Sequence, residues 1–114
     1  MYEYRAKVLA VVDGDTLHVL LDFGCEESRK MTLRLYGLNA PEKHGTTKDA
    51  GLAARDYVVT WLAKWAPDNT VLVKTIKDRT EKYGRYLADI CTVDGQRYLN
   101  RDLLASGNAV PYLA

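Results

Sequence analysis

Cysteine is scarce in this chain. Cys25 and Cys91 are too few and too far apart for a disulfide framework, and no CxxC or Cys/His metal spacing exists. Two reduced thiols are expected, one of them buried in a strand. Histidine is equally sparse: His18 falls mid-strand and His44 in a loop, and neither has a spaced partner for metal binding or acid–base work. No apolar run approaches the roughly 18 residues of a membrane-crossing helix. The N-terminal stretch "MYEYRAKVLAVVDGD" has neither a basic leading region nor a small-residue cleavage site, so a cytoplasmic chain with no membrane partner is expected. Charge of one sign is missing too. Lys plus Arg, 16, nearly cancels Asp plus Glu, 15, and a net charge of +1 means that any anion site must be local.

What is present is enough for one core. With 114 residues and 47% hydrophobic content, residues 1–114 are expected to form a single domain, without repeats, linkers or low-complexity segments. Residues 4–12 are valine-rich and end at Asp13-Gly14, a dipeptide suited to a hairpin turn in which glycine takes a positive φ. "TLHVLLDF" alternates, with Leu17, Val19 and Leu21 on one face; Gly24 and the polar run "CEESRK" turn the chain, and "MTLRLY" is a third strand. From Asp49 the period becomes three to four, through Ala50, Ala54, Tyr57, Val58, Trp61, Leu62 and Trp65, and Pro67 follows, which predicts an amphipathic helix. "TVLVKTI" and "RYLADICTV" are two more strands. "NRDLLASG" is a short helix with Asn100 as N-cap and Gly107 as its stop.

Three strands, a helix, two strands and a helix fit a mainly β fold with α elements, a five-stranded OB-type Greek-key barrel whose first helix plugs one end. A ferredoxin-like sandwich would place a helix after the first strand, where this chain has an Asp-Gly turn.

Three polar stretches interrupt this pattern. In "VDGDT", Asp15 shares strand parity with Leu17 and Val19, so its carboxylate sits at the end of an apolar face and needs a metal ion or an arginine. An EF-hand is excluded: counted from Asp13, Leu17 falls at the fifth ligand position and Gly24 at the twelfth. In "RLYGLNAPE", Arg34 faces away from Leu33 and Leu35, and Pro41 stiffens the backbone that carries Glu42. In "DRTEKYGRYLAD", Arg85 enters a strand just after Gly84. Arg34 and Arg85 supply the forked donors that phosphate oxygens match. Taken singly, each stretch also reads as a solvated turn or loop.

In order and spacing the three stretches resemble the staphylococcal nuclease (thermonuclease) family, from about Tyr4 to Tyr112. The resemblance implies a calcium-dependent phosphodiesterase acting on DNA and/or RNA, single strands preferred, as a monomer, leaving 3′-phosphate ends. Residue by residue it implies Asp15, Asn39 and Ala40 as calcium ligands, the last through its carbonyl, with Asp13 and Thr16 beside them. Arg34 and Arg85 would hold the phosphate and Glu42 would orient or deprotonate water. Lys82 and Tyr83 would approach the nucleotide's terminal phosphate and Tyr112 its base. Asn39 stands where well-studied members have a second aspartate, so weaker calcium binding is expected. The alternative is a nucleic-acid-binding module that keeps the barrel without the reaction. Asn39 and the near-neutral charge favour it; the set Asp15, Arg34, Glu42 and Arg85 favours the enzyme.

Overall fold

The alternating first half folds as an antiparallel meander of β1 (Tyr2–Asp13), β2 (Thr16–Gly24) and β3 (Glu27–Leu35), followed by the two-residue β4 (Leu38–Asn39). Helix α1 (Lys48–Trp65), strands β5 (Thr70–Thr80) and β6 (Tyr86–Cys91), helix α2 (Leu99–Ala105) and the short β7 (Val110–Pro111) complete the order. This computed structural model describes residues 2–41, 45, 48–80 and 86–112, with the backbone alone at residue 2 and residues 77–80.

Five strands close into a barrel in the order β1-β2-β3-β6-β5, as expected for an OB-type fold. All neighbours are antiparallel except β3 and β6, where Leu33 pairs with Tyr86 in parallel. The period-two pattern sends Leu17, Val19 and Leu21 of β2, Leu33 and Leu35 of β3, Val71 and Val73 of β5, and Ala88 and Ile90 of β6 into one interior. Val58, Trp61 and Leu62 of α1 and Leu99 and Leu103 of α2 join that core. Each buried Val, Leu or Ile among them stabilises the fold by roughly 1.5–3 kcal/mol relative to exposure. Cys91 is buried in β6 and Cys25 is exposed, both as free thiols.

Two local expectations are corrected, and one short pairing is added. The polar run "CEESRK" is mostly strand: the turn is confined to Cys25 and Glu26, at φ 52° and 62°, and β3 begins at Glu27. Its first four residues are exposed and polar, so no apolar period betrays the strand. Asn100 is not the N-cap of α2. Tyr98 holds that position without a side-chain cap bond, and Asn100 is buried as the second residue of the helix. Its Oδ1 accepts from the Ile90 N–H at 3.1 Å, while Nδ2 donates to the carbonyls of Tyr36 at 3.0 Å and Ala88 at 3.1 Å. One amide thus ties α2 to β6 and to the exit of β3. Finally, β4 and β7 pair Leu38 with Pro111 and Asn39 with Val110, a contact too short to leave a period in the sequence.

Candidate active site

The turn between β1 and β2 is gripped from two sides. A Cβ on Gly14 would stand 2.7 Å from Cβ of Ala54 in α1 and 2.9 Å from Cβ of Ala40 after β4. Gly14 is absent from the positive-φ positions, so glycine is required here by close approach and not, as expected, by backbone sign. The consequence is positional: α1 and the segment after β4 lock Asp13 and Asp15 against the end of β3. Arg55 of α1 adds a bond, its Nε donating to the Val11 carbonyl at 3.0 Å.

Asp15 is the hub. Its main-chain carbonyl accepts from the Leu35 N–H at 2.8 Å, anchoring the turn to β3. Its Oδ1 accepts from the Thr16 hydroxyl at 3.1 Å and its Oδ2 from the Ala40 N–H at 3.0 Å. Arg34 Nη2 lies 3.6 Å from the same Oδ2, and both side chains are only 14% exposed. The carboxylate at the end of an apolar face therefore has an arginine and a backbone donor as partners, as its chemistry demands.

Arg34 is held through one nitrogen of its fork. Nη2 also donates to the Leu38 carbonyl at 3.2 Å, and the guanidinium carbon stands 5.4 Å from the centre of the Tyr112 ring. Tyr112 reaches that place because its N–H donates to the Gly37 carbonyl at 2.9 Å, next to the β4–β7 pair. Thr16 is the cross-strand partner of Arg34. The structure thus gathers Asp13, Asp15, Thr16, Arg34, Asn39, Ala40 and Tyr112 where the β1–β2 turn, the end of β3 and β4 meet. Glu42, Lys82, Tyr83 and Arg85 lie outside the described residues, as does His44. His18 is exposed on β2.

The donors fit a hard cation. Asp15, the Asn39 amide and the Ala40 carbonyl offer oxygen only, which suits calcium and not a soft metal. Although both Asp15 oxygens accept hydrogen bonds, a carboxylate has about four lone-pair sites and keeps capacity for a ligand. Asp13 Oδ1 is buried without a hydrogen-bond partner among the described residues, a polar atom that an ion or a water bound there would satisfy. Among the described residues no three His, Cys, Asp or Glu side chains converge.

Gly14 and Asn100 are the positions whose roles sequence reasoning misread. For Asn100 a signal existed, since helical spacing puts it on one stripe with Leu103 and Leu104. Gly14 carried none, because the approach of Ala54 is a tertiary event.

Residues 32–114 match the family described as staphylococcal nuclease homologue. The chain is also 33% identical over 119 residues to Endonuclease YhcR of Bacillus subtilis (strain 168), an alignment that covers 96% of this chain and 9% of that protein. The chain therefore spans about a tenth of the length of this curated relative. Among the described residues no helix is long and apolar enough to cross a membrane.

Proposed function

Because the chain belongs to the staphylococcal nuclease homologue family, we propose that it is a calcium-dependent nuclease hydrolysing phosphodiester bonds of DNA and/or RNA, with single strands preferred. The observation that carries the reading is the placement of Arg34, half-buried and held by Asp15 and the Leu38 carbonyl at the edge of an oxygen-lined turn. A guanidinium fixed in this way presents its remaining donors to a phosphate without first losing side-chain freedom.

Asp15, Asn39 and Ala40 would hold the calcium ion. When bound, calcium supplies positive charge against the anionic oxygens that resist nucleophilic attack. Arg34 and Arg85 would bind those oxygens and stabilise the extra negative charge of the five-coordinate transition state. Glu42, carried by the stiff backbone after Pro41, would orient water and accept its proton in line with the departing 5′ oxygen. Lys82 and Tyr83 would meet the terminal phosphate, and Tyr112, beside Arg34, would pack on the neighbouring base. Asp13 and Thr16 would support the Asp15 carboxylate.

Incubation of end-labelled single-stranded DNA with calcium or with chelator tests the reading. Calcium-dependent fragments ending in 3′-phosphate are expected. Asn39, which removes one formal charge from the ligand set, favours a second reading as a binding module; strand binding that persists in chelator, with no cleavage when calcium is restored, would establish it instead.

A further inference from the structure

Arg34 does not stand alone on its side of the barrel. Between Thr16 and Leu20 the β2–β3 ladder runs without a bulge, pairing Thr16 with Arg34, His18 with Thr32 and Leu20 with Lys30. Because Leu17, Val19 and Leu33 point into the core, these alternate residues share the outer face. β1 extends the same face. Lys7 pairs with Leu20, and the register shift between Val8 and Ala10 leaves Leu9 and Ala10 both exposed beside His18. Rows therefore cross the face in order from the candidate active site: Thr16 with Arg34, then Leu9, His18 and Thr32, then Lys7, Leu20 and Lys30. None of these rows carries a carboxylate. Leu9, His18, Lys30 and Thr32 line one cavity of about 310 Å³. Leu9 is 51% exposed, and Lys30 and His18 are exposed without an ion-pair partner among the described residues. Lys7 Nζ is tied to the Asp68 carbonyl at 3.0 Å, which places it at the margin.

We propose that this outer face of β1, β2 and β3 carries a nucleic-acid single strand away from the candidate active site, an inference that rests on the nuclease reading and extends it. The chemistry of the face fits a phosphodiester backbone. Arg34 and Lys30 lie on the same side of one strand, about 13 Å apart along β3, so each can meet a different phosphate of one extended chain. Between them His18 supplies a ring on which a base stacks, and Leu9 and Leu20 supply an apolar floor beside it. A cationic groove interleaved with such rings is how barrels of this kind hold single strands without reading their sequence. In a chain of near-neutral charge, an anion site has to be local, and this face is free of acids where Arg34, His18 and Lys30 align. The track is short. Asp22 follows in the next row, opposite Ser28, and Glu26 and Glu27 line the neighbouring cavity, so phosphates are repelled beyond Lys30.

The test uses fluorescence anisotropy in chelator, where no cleavage occurs, over a salt series. The probes are a thymidine decamer and a thymidine dinucleotide, whose single phosphate cannot meet both cations. Lys30→Ala is expected to weaken the decamer and to flatten the slope of log affinity against log salt by about 0.7, the value for one phosphate contact to a single strand, with the dinucleotide unaffected. His18→Ala is expected to weaken the decamer about fivefold, the low end for one lost stacked base. Lys64→Ala, which removes a lysine standing over the Trp65 ring of α1, controls for net charge and keeps the natural slope. Natural decamer affinity in either face variant overturns the proposal, as does a change of equal size in Lys64→Ala. Equal loss for both probes also overturns it, because damage to the barrel as a whole weakens both. A decamer held no more tightly than a polyaspartate of like length overturns it in favour of an acidic peptide. Decamer binding that depends on Lys30 and His18, in a protein that never cleaves with calcium, supports the face while refuting the nuclease reading.

Discussion

Arg34 of β3 and Asp15 of the β1–β2 turn stand 3.6 Å apart, each 14% exposed, on neighbouring strands that Thr16 and Arg34 hold in register. The pair does two things at once. It satisfies a carboxylate at the end of an apolar face, and it fixes the direction in which the guanidinium points.

Removal of that guanidinium is therefore expected to cost chemistry. Arg34→Ala should lower kcat/KM for single-stranded DNA by about 3 kcal/mol or more, the usual scale for one preorganised donor. Steady-state kinetics at saturating calcium measure it. Near-natural turnover would remove Arg34 from the mechanism.

Gly14→Ala is expected to destabilise the fold by roughly 1–3 kcal/mol, because its methyl group would meet Ala54 and Ala40 below 3.0 Å and α1 would have to move. Denaturant unfolding reads the loss. A variant as stable as the natural protein would show that the turn is not clamped as described.

Asn100→Leu keeps the volume and removes the amide. The buried Ile90 N–H then loses its acceptor, and the carbonyls of Tyr36 and Ala88 lose a donor, although Ala88 still accepts from the Tyr36 N–H. A loss of about 1–3 kcal/mol is expected. Were Asn100 merely a helix cap, Asn100→Ser would restore stability; with its three-way tie it should not.

Asp89 supplies a pH test. Burial on β6 holds its carboxyl above the usual 3.8, opposed by Arg101 and Lys74. The folded protein keeps this proton to higher pH than the unfolded chain, so the group's contribution is fully present below 3.8 and declines as pH rises through the folded value. Asp89→Asn should raise the melting temperature at neutral pH, with an advantage that vanishes in acid. A gap of equal size at every pH would contradict this.

Much of this was legible beforehand, for particular reasons. Inward rows such as Leu17, Val19 and Leu21 announce a strand with one buried face, and Val58, Trp61, Leu62 and Trp65 announce a helix. Asp15 stood out because it ends such a row with a charge, and Arg34 because it alternates with Leu33 and Leu35 at the entry to a proline-stiffened turn. Glu27–Lys30 was hidden because all four side chains are polar and exposed, so a true strand there reads as a polar turn. Gly14 was named as a turn residue, but the reason for it, contact with a helix 40 residues away, exists only after folding.

The central claim is that Asp15, Asn39 and Ala40 form a calcium site weakened by one missing charge, and that this site drives phosphodiester cleavage. Its most direct test is the calcium dependence of single-stranded DNA cleavage by the natural protein and Asn39→Asp side by side. The account predicts cleavage by both, with Asn39→Asp reaching half-maximal rate at lower calcium, because affinity follows ligand charge. No cleavage by either protein at calcium on the order of 10 mM, above the ~10⁻⁴–10⁻³ M range of weak protein sites, would contradict it.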